Sequence, residues 1–363
     1  MRRYRRFLRE LLAVNLIFIL AVAFLGYRKE HHELAQVSGL LEAKGTEQER
    51  IDEDQVIPVG KTVGIYVNTQ GILVIDTGEV TDLEGKRRTP AKNKLLTGDY
   101  ITMLNGENIK TKKQLIDRIT SCGGQELVFG IRRGGKDTTV SIHPVETDPG
   151  IYKVGIWVRD DLQGLGTVTY LAGKRFGALG HSINDSDTGT LLEVSTGEIY
   201  DADIFGVEKG LIGNPGEIEG MIEYQTERVV GNIEENRLYG IYGTVSDGFC
   251  EEVQEEQPVR IAAKEEVRTG TACIQSYVSG QRELYEIQIT GIHRNQNGDP
   301  EFEFIVTDDN LLSLTGGIIQ GMSGSPVLQD GKLAGAVTHV FVDDPKRGYG
   351  IFVETMRKQD MQS

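Results

Sequence analysis

The chain has 363 residues and carries 39 Lys+Arg against 54 Asp+Glu, a formal net charge of −15. That length is enough for two domains, or three, and so acidic a balance argues against nucleic acid as a partner. Gly is abundant at 45 and Pro scarce at 9, which favours tight turns between strands over disorder. Cys122, Cys250 and Cys273 are too few for a disulfide framework, and no CxxC or HExxH spacing points to a metal or calls for a cofactor.

The chain opens with Arg2, Arg3, Arg5, Arg6 and Arg9, followed by the run Leu11–Tyr27, in which Asn15 is the one clearly polar residue. This is the short end of what crosses a bilayer as a helix. The flanking arginines hold that end in the cytoplasm and place everything after Tyr27 outside. Residues 1–27 are therefore expected to be a basic tip and transmembrane anchor. The alternative is a cleaved signal peptide, with Ala21-Val22-Ala23 as a small-residue cleavage site. Residues 28–54 are polar and mixed in charge and read as a linker, with His31 and His32 solvated.

Residues 55–146 read as one compact domain. Gly64–Val67 and Gly71–Ile75 are expected to be strands around a short turn, and Asp82–Lys94 a charged surface loop. A helix over 111–120 follows, with Thr111 as its N-cap. Leu127–Ile131 and Thr138–Ile142 pair as a hairpin across Arg132-Arg133-Gly134-Gly135-Lys136. The spelling Leu95-x-x-Gly98-Asp99-x-Ile101-x-x-x-Asn105-Gly106-x-x-Ile109, then helix, then hairpin, resembles a PDZ domain. That resemblance implies a groove between the second strand and the helix that takes an extended peptide by strand addition. Its carboxylate-binding loop would lie at Gly60-Lys61-Thr62-Val63-Gly64, which departs from the usual Gly-Leu-Gly-Phe form.

Residues 147–361 change texture to short strands with glycine turns. Val154–Asp160 and Gly166–Leu171 alternate as strands do. The apolar stretch Phe176–Leu179 then ends in Gly180-His181, and a histidine titrating near neutral pH is the usual general base. Near the other end, Gly321-Met322-Ser323-Gly324-Ser325-Pro326 has the form G-x-S-G-x-P. A serine that attacks an amide needs its hydroxyl on a tight turn and N–H groups aimed at the oxyanion, here those of Gly321 and Ser323. Val327-Leu328, the Asp330-Gly331 turn and Leu333–Val337 follow as strand, hairpin and strand. This order is similar to the region around the active serine of trypsin-like peptidases. On that likeness Thr338 supplies a hydroxyl to the triad carboxylate, and His339 lines the cleft. The expected fold is mostly β: a PDZ domain followed by a chymotrypsin-like double β-barrel.

Three segments recur together: GIWVRDDLQGLGTVTYL, FGALGHSINDSDTG, and the stretch from Val306 to Phe352. With the anchor and the PDZ domain, they resemble the stage IV sporulation protein B peptidases of endospore-forming bacteria. The resemblance implies a serine endopeptidase secreted from the forespore into the space between the two spore membranes. There it would cleave the regulatory subunit of a membrane-bound processing complex, leading to activation of a late sigma factor, and would also cleave itself. It implies Ser323 as nucleophile, His181 as general base and Asp308 as the orienting acid. Asp201 and Asp203 are the positional rivals for that last role, and Asp308 could instead brace the active-site loop. The alternatives of other class are a non-catalytic PDZ adaptor and a quality-control protease, although the latter usually places its PDZ domain after the catalytic one.

Overall fold

The computed structural model describes residues 55–253, 257–293 and 301–361. The expected anchor (1–27) and linker (28–54) lie outside those residues. Among the described ones, no helix is long and apolar enough to cross a membrane.

Strands β1 (Gln55–Pro58) and β2 (Thr62–Thr77) open the fold. The second half of β2 enters the PDZ domain with β3 (Tyr100–Leu104), helix α1 (Lys112–Thr120), β4 (Leu127–Arg133) and β5 (Lys136–Ile142). Thr111 caps α1 by accepting a hydrogen bond from the Gln114 N–H at 3.2 Å, as its sequence position predicts. Leu115 and Ile119, four apart on one helix face, are buried against Ile72, Ile101 and Phe129. Burying each such side chain contributes roughly 1.5–3 kcal/mol.

β6 (Ile156–Ala172) then runs back alongside β2 for most of its length. β7 (Arg175–Ala178), β8 (Val194–Glu208), β9 (Glu217–Ile222), β10 (Val229–Arg237) and β11 (Gly240–Val245) follow, then α2 (Asp247–Val253). Six strands close a ring in the order β6-β7-β11-β10-β8-β2 and back to β6. Its core includes Val63, Ile65, Phe176, Ile199 and Ile241. A second closed barrel comprises β12 (Gly270–Ser276), β13 (Glu283–Ile292), β14 (Phe302–Val306), β15 (Pro326–Gln329), β16 (Lys332–Phe341) and β17 (Asp344–Phe352). Helix α3 (Asp309–Thr315) leads toward β15, and α4 (Val353–Asp360) ends the fold. In the β15–β16 hairpin Asp330 and Gly331 both have positive φ (51° and 74°), the turn that an Asp-Gly pair favours.

Two expectations are corrected. Gly64–Val67 and Gly71–Ile75 are not strands around a turn but parts of one 16-residue strand. The polar residues Asn68–Gln70 resemble a turn by composition, yet they are paired: Asn68 lies opposite Asp161, and Gln70 N–H donates to Glu193 O at 2.7 Å. Register shifts at Arg159/Asp161 and the positive φ of Gly71 (112°) mark bulges where the β2–β6 ribbon bends. The start of the PDZ domain at residue 55 moves as well. β1 pairs with Tyr170 and Leu171, and Val63–Thr69 of β2 pairs with β8, so this segment belongs to the first barrel. The PDZ domain is an insertion carried between the two halves of the β2–β6 ribbon rather than a module in front of the peptidase.

Candidate active site

Helix α3 ends at Gly316 in the left-handed conformation, and the buried Ile318 and Ile319 carry the chain to Gln320. Gly321 and Gly324 have φ of 94° and 97°, bracketing Met322-Ser323 in a tight turn. Met322 is fully buried and pins the turn to the second barrel. A Cβ on Gly324 would stand 2.1 Å from Thr167 O and 2.6 Å from Leu179 N, so only glycine fits. Thr167 of β6 grips the turn from the first barrel: its N–H donates to Ser323 O at 3.0 Å and its hydroxyl to Gly321 O at 2.7 Å. Among the described residues the N–H groups of Gly321 and Ser323 donate to no acceptor. They are the pair that an oxyanion would need.

β7 delivers the histidine. Leu179 (φ 70°) and Gly180 (φ 71°) turn the chain sharply after Ala178. Gly180 faces the Thr338 methyl across the barrel seam, where a Cβ would meet it at 3.0 Å. His181 Nδ1 lies 2.8 Å from Ser182 O. A carbonyl only accepts, so Nδ1 carries the proton and Nε2 keeps its lone pair, the tautomer a general base needs. Burial lowers the His181 pKa from its ordinary value, and the Ser182 carbonyl opposes part of that fall. The imidazole is therefore neutral at neutral pH. Its ring packs against His339, with centroids 4.9 Å apart and planes tilted by 34°. Although His339 is exposed to solvent on one side, desolvation of its ring and the neighbouring His181 push it down to about 4. Ser323 and His181 thus face one seam between the barrels without a mutual hydrogen bond. Ser323 Oγ instead donates to Thr338 O at 2.6 Å.

The orienting carboxylate is the expectation that changes most. Asp308 is the N-cap of α3: one oxygen accepts from Asn310 N–H at 2.9 Å and Leu311 N–H at 3.0 Å, the other from Glu286 N–H at 3.3 Å. Two of these bonds hold the helix that sets up the nucleophile turn and the third holds β13, and Asp308 makes no bond to His181. Asp201 pairs with Lys61 and Arg228, each at 3.2 Å, and Asp203 pairs with Arg228. Neither rival reaches His181. The backbone carbonyl of Ser182 does the orienting in this structure. Thr338 is corrected in the same way. It is 4% exposed, its hydroxyl has no partner among the described residues, and its carbonyl, not its hydroxyl, engages the site. A cleft of about 840 Å³ opens beside Gly321, walled by Leu165, Phe205, Met221 and Tyr224 with Glu217 and Glu219 at its rim.

The loop Gly60–Gly64 does not border the PDZ groove. Gly60 abuts the backbone of Gln275 in the second barrel, Lys61 pairs with Asp201 and Glu252, and Thr62 and Val63 are buried. The strand beside α1 is the start of β6. The segment before it, from the short strand Ile151–Lys153 through Val154-Gly155, borders a second cleft with Ile116, Ile119 and Trp157. Sequence reasoning missed this segment, although Val154-Gly155-Ile156-Trp157-Val158 repeats the spelling of Val63-Gly64-Ile65-Tyr66-Val67. It also missed Thr167, which nothing in its neighbourhood marks.

A serine on a glycine-bracketed turn, two unpaired N–H groups beside it and a base-competent histidine across a two-barrel seam define a chymotrypsin-like serine peptidase, here with an inserted PDZ domain. The chain belongs to the SpoIVB peptidase S55 family, whose model matches residues 150–357, and is a serine endopeptidase. A PDZ-domain model matches residues 62–143. No curated protein sequence matches the chain. Among solved structures it is similar to the PDZ domain of the SdrC-like protein Lmo2051 from Listeria monocytogenes (28% identity, 25% of this chain and 90% of that one, TM-score 0.21). It is also similar to the active form of the Rv3671c protease from M. tuberculosis (16%, 55% and 73%, TM-score 0.32). The HtrA-type protease AlgW with a decapeptide is a further likeness (11%, 84% and 64%, TM-score 0.33).

Proposed function

We propose that this serine endopeptidase is held in a membrane by Leu11–Tyr27, with its catalytic part outside the cytoplasm, in the space between the two membranes of a developing spore. Its substrate there is a regulatory membrane protein whose cleavage leads to sigma-factor activation, and it cleaves itself. Family membership supports the setting, and the basic tip before an apolar run supports the anchor. The chemistry rests on one observation: Ser323 sits between two positive-φ glycines, with the N–H groups of Gly321 and Ser323 unpaired among the described residues.

The reaction follows from those atoms. Ser323 Oγ leaves the Thr338 carbonyl and turns toward His181 Nε2, which takes its proton as Oγ attacks the scissile carbonyl. The carbonyl oxygen becomes an oxyanion and accepts the two free N–H groups. The imidazolium keeps its Nδ1–H on Ser182 O, then gives the Nε2 proton to the leaving amine. Water, deprotonated by the same nitrogen, releases the acyl group.

A fluorophosphonate probe on the full chain in membranes tests the chemistry: Ser323 is labelled and Ser323→Ala is not. Full labelling of Ser323→Ala would sink the assignment. Sporulating cells whose only copy is Ser323→Ala should fail to activate the late sigma factor. Normal activation there would separate the enzyme from that pathway.

A further inference from the structure

We infer that the cleft beside Gly321 selects the second residue after the scissile bond. An extended stretch of substrate lies between the edges of β6 and β9, and a lysine or arginine at that place is held by Glu217 and Glu219. The inference deepens the peptidase reading above and rests on it.

Two strand edges stop short of pairing at this cleft. Thr167 turns its backbone away from β2: its N–H donates to Ser323 O at 3.0 Å and its carbonyl accepts from Leu179 N–H at 3.2 Å. Backbone direction alternates along a strand, so Leu165, two residues back, presents its N–H and C=O at the same edge. β7 covers that edge only as far as Val168. On the other bank, Gln320 donates to Gly216 O at 3.0 Å and accepts from Ile218 N–H at 2.9 Å. By the same alternation Gly220 shows its N–H and C=O beyond Gln320, and β9 pairs along its opposite edge with β8. An extended chain adds to such edges by backbone hydrogen bonds. The leaving amine takes its proton from His181 on the first barrel, so the chain that follows it departs along that barrel's edge, antiparallel to β6. Leu165 stands roughly 7 Å from Thr167 at about 3.3 Å per residue. A substrate pinned at Ser323 therefore brings its second residue after the cut opposite Leu165.

The side chain at that place meets a defined surface. Opposed residues of neighbouring strands share a face, and the Leu165 side chain points to β9, where a Cβ on Gly220 would meet its Cδ1 at 3.1 Å. The substrate side chain opposite Leu165 thus enters the cleft of about 840 Å³, among Leu165, Phe205, Ile218 and Met221. Phe205 and Met221 are 72% and 53% exposed, an apolar surface that a long aliphatic stem can cover. Glu217 and Glu219 line the same cleft, are exposed, and make no ion pair among the described residues. Gly206, opposite Glu219 on β8, puts no side chain over its carboxylate. Lys209, on the same hairpin, gives its ammonium to Ser313 O, and no Lys or Arg lines the cleft among the described residues. Apolar walls with two unpaired carboxylates at the rim fit an aliphatic stem that ends in a cation. A glutamate at the same place would meet like charge.

The full chain in detergent micelles is given a randomised decapeptide library, and the fragments released with a new amine are sequenced. Lysine and arginine should be enriched, and aspartate and glutamate depleted, at the second residue after the cut. Two matched quenched peptides with Lys or Glu at that place should differ about tenfold in kcat/KM at low salt, the scale of two partly exposed ion pairs. The difference should shrink as salt rises. Glu217→Gln/Glu219→Gln should erase it, and Glu219→Lys should reverse it in favour of the Glu peptide, a gain that a damaged fold cannot give. N-methylation of the amide of that residue should lower kcat/KM of the Lys peptide about tenfold, because the bond to Leu165 O is lost. No charge preference at that place, or one that the double variant leaves intact, would overturn the selection by Glu217 and Glu219. Full tolerance of the N-methyl group would overturn the strand addition. If no peptide is cut and a fluorophosphonate leaves Ser323 unlabelled, the peptidase chemistry fails on its own. Five-residue peptides with a free amine and Lys or Glu at the second place, followed by fluorescence anisotropy on the same chain, should then still differ about tenfold in affinity. Equal binding of the two would overturn the site itself.

Discussion

Ser323 donates its hydroxyl to the backbone carbonyl of Thr338 at 2.6 Å rather than to the imidazole of His181. The nucleophile is therefore parked on the second barrel, while the base on the first already has the working tautomer. A neutral hydrogen bond of this kind contributes about 0.5–1.5 kcal/mol net, less than the binding energy a peptide substrate supplies. Catalytic hydrogen bonds commonly tighten only when substrate is present.

Ser323→Ala should abolish turnover, a loss of roughly 10⁴–10⁶ in rate, with an unchanged circular-dichroism spectrum. Ser325→Ala should leave turnover near wild type. Ser325 is fully buried and its hydroxyl has no partner, so no substrate carbonyl reaches it and its loss leaves nothing newly unpaired. The reverse pattern in a peptide-cleavage assay would show that the other serine of the motif is the nucleophile.

Asp308 separates two roles cleanly. If it orients His181, Asp308→Asn should cost about 10⁴ in turnover by stabilising the wrong tautomer. As the cap of α3, Asn serves nearly as well as Asp, so Asp308→Asn should stay within about tenfold of wild type. Asp308→Ala should lower stability by about 0.5–2 kcal/mol, with some loss of activity because α3 leads into the nucleophile turn. Denaturant unfolding and turnover of the two variants decide between them. A loss of about 10⁴ in the Asn variant would return the orienting role to this residue.

What the sequence showed plainly was set by local backbone chemistry. Gly321-x-Ser323-Gly324 needs its glycines for a turn no other residue makes, the Asp330-Gly331 hairpin needs positive φ twice, and Thr111 caps a helix from its own position. What it hid was set by tertiary pairing. Asn68-Thr69-Gln70-Gly71 has turn composition, but Glu193 and Asp161 supply its backbone partners from far along the chain, so the strand runs on. The same Val-Gly-Ile-aromatic-Val spelling occurs at 63–67 and at 154–158, and only the packing of α1 tells which one lines the groove. Asp308 sits at a spacing that fits a triad and at the N-terminus of a helix, and the capping bonds decide it.

The pH dependence follows from the depressed His181 pKa. The neutral imidazole is the base, so activity is full above that pKa and lost as pH falls through it. The acid limb of the pH–rate profile should therefore have its midpoint below the ordinary histidine value of 6.5. His339, held at about 4 in the folded protein, adds a stability effect of the same direction. The unfolded chain binds more protons between 6.5 and about 4, so stability is present above 6.5 and lost as pH falls through that window. His339→Gln should flatten the unfolding free energy between those pH values. A midpoint at or above 6.5 in the rate profile would contradict the burial of His181.

Thr338→Val tests whether the hydroxyl or the carbonyl of this residue serves the site. Its likeness in position to a triad-supporting hydroxyl predicts that valine costs about 1–3 kcal/mol of transition-state stabilisation, the penalty of an unpaired buried partner. The structure gives the opposite expectation. The Thr338 hydroxyl is buried and bonds to nothing, so its removal deprives no carboxylate of a donor. Its carbonyl, which holds the Ser323 hydroxyl, is part of the backbone and survives the change. Its methyl packs toward Gly180 beside His181, and valine keeps that contact. Exchanging a buried, unpartnered hydroxyl for a methyl of similar size removes a desolvation penalty, and β16 favours a β-branched residue at that position. The variant should therefore unfold at equal or higher denaturant concentration and cleave peptide at close to the wild-type rate. A roughly tenfold or larger fall in turnover, with stability unchanged, would show that the hydroxyl acquires a partner when substrate is bound.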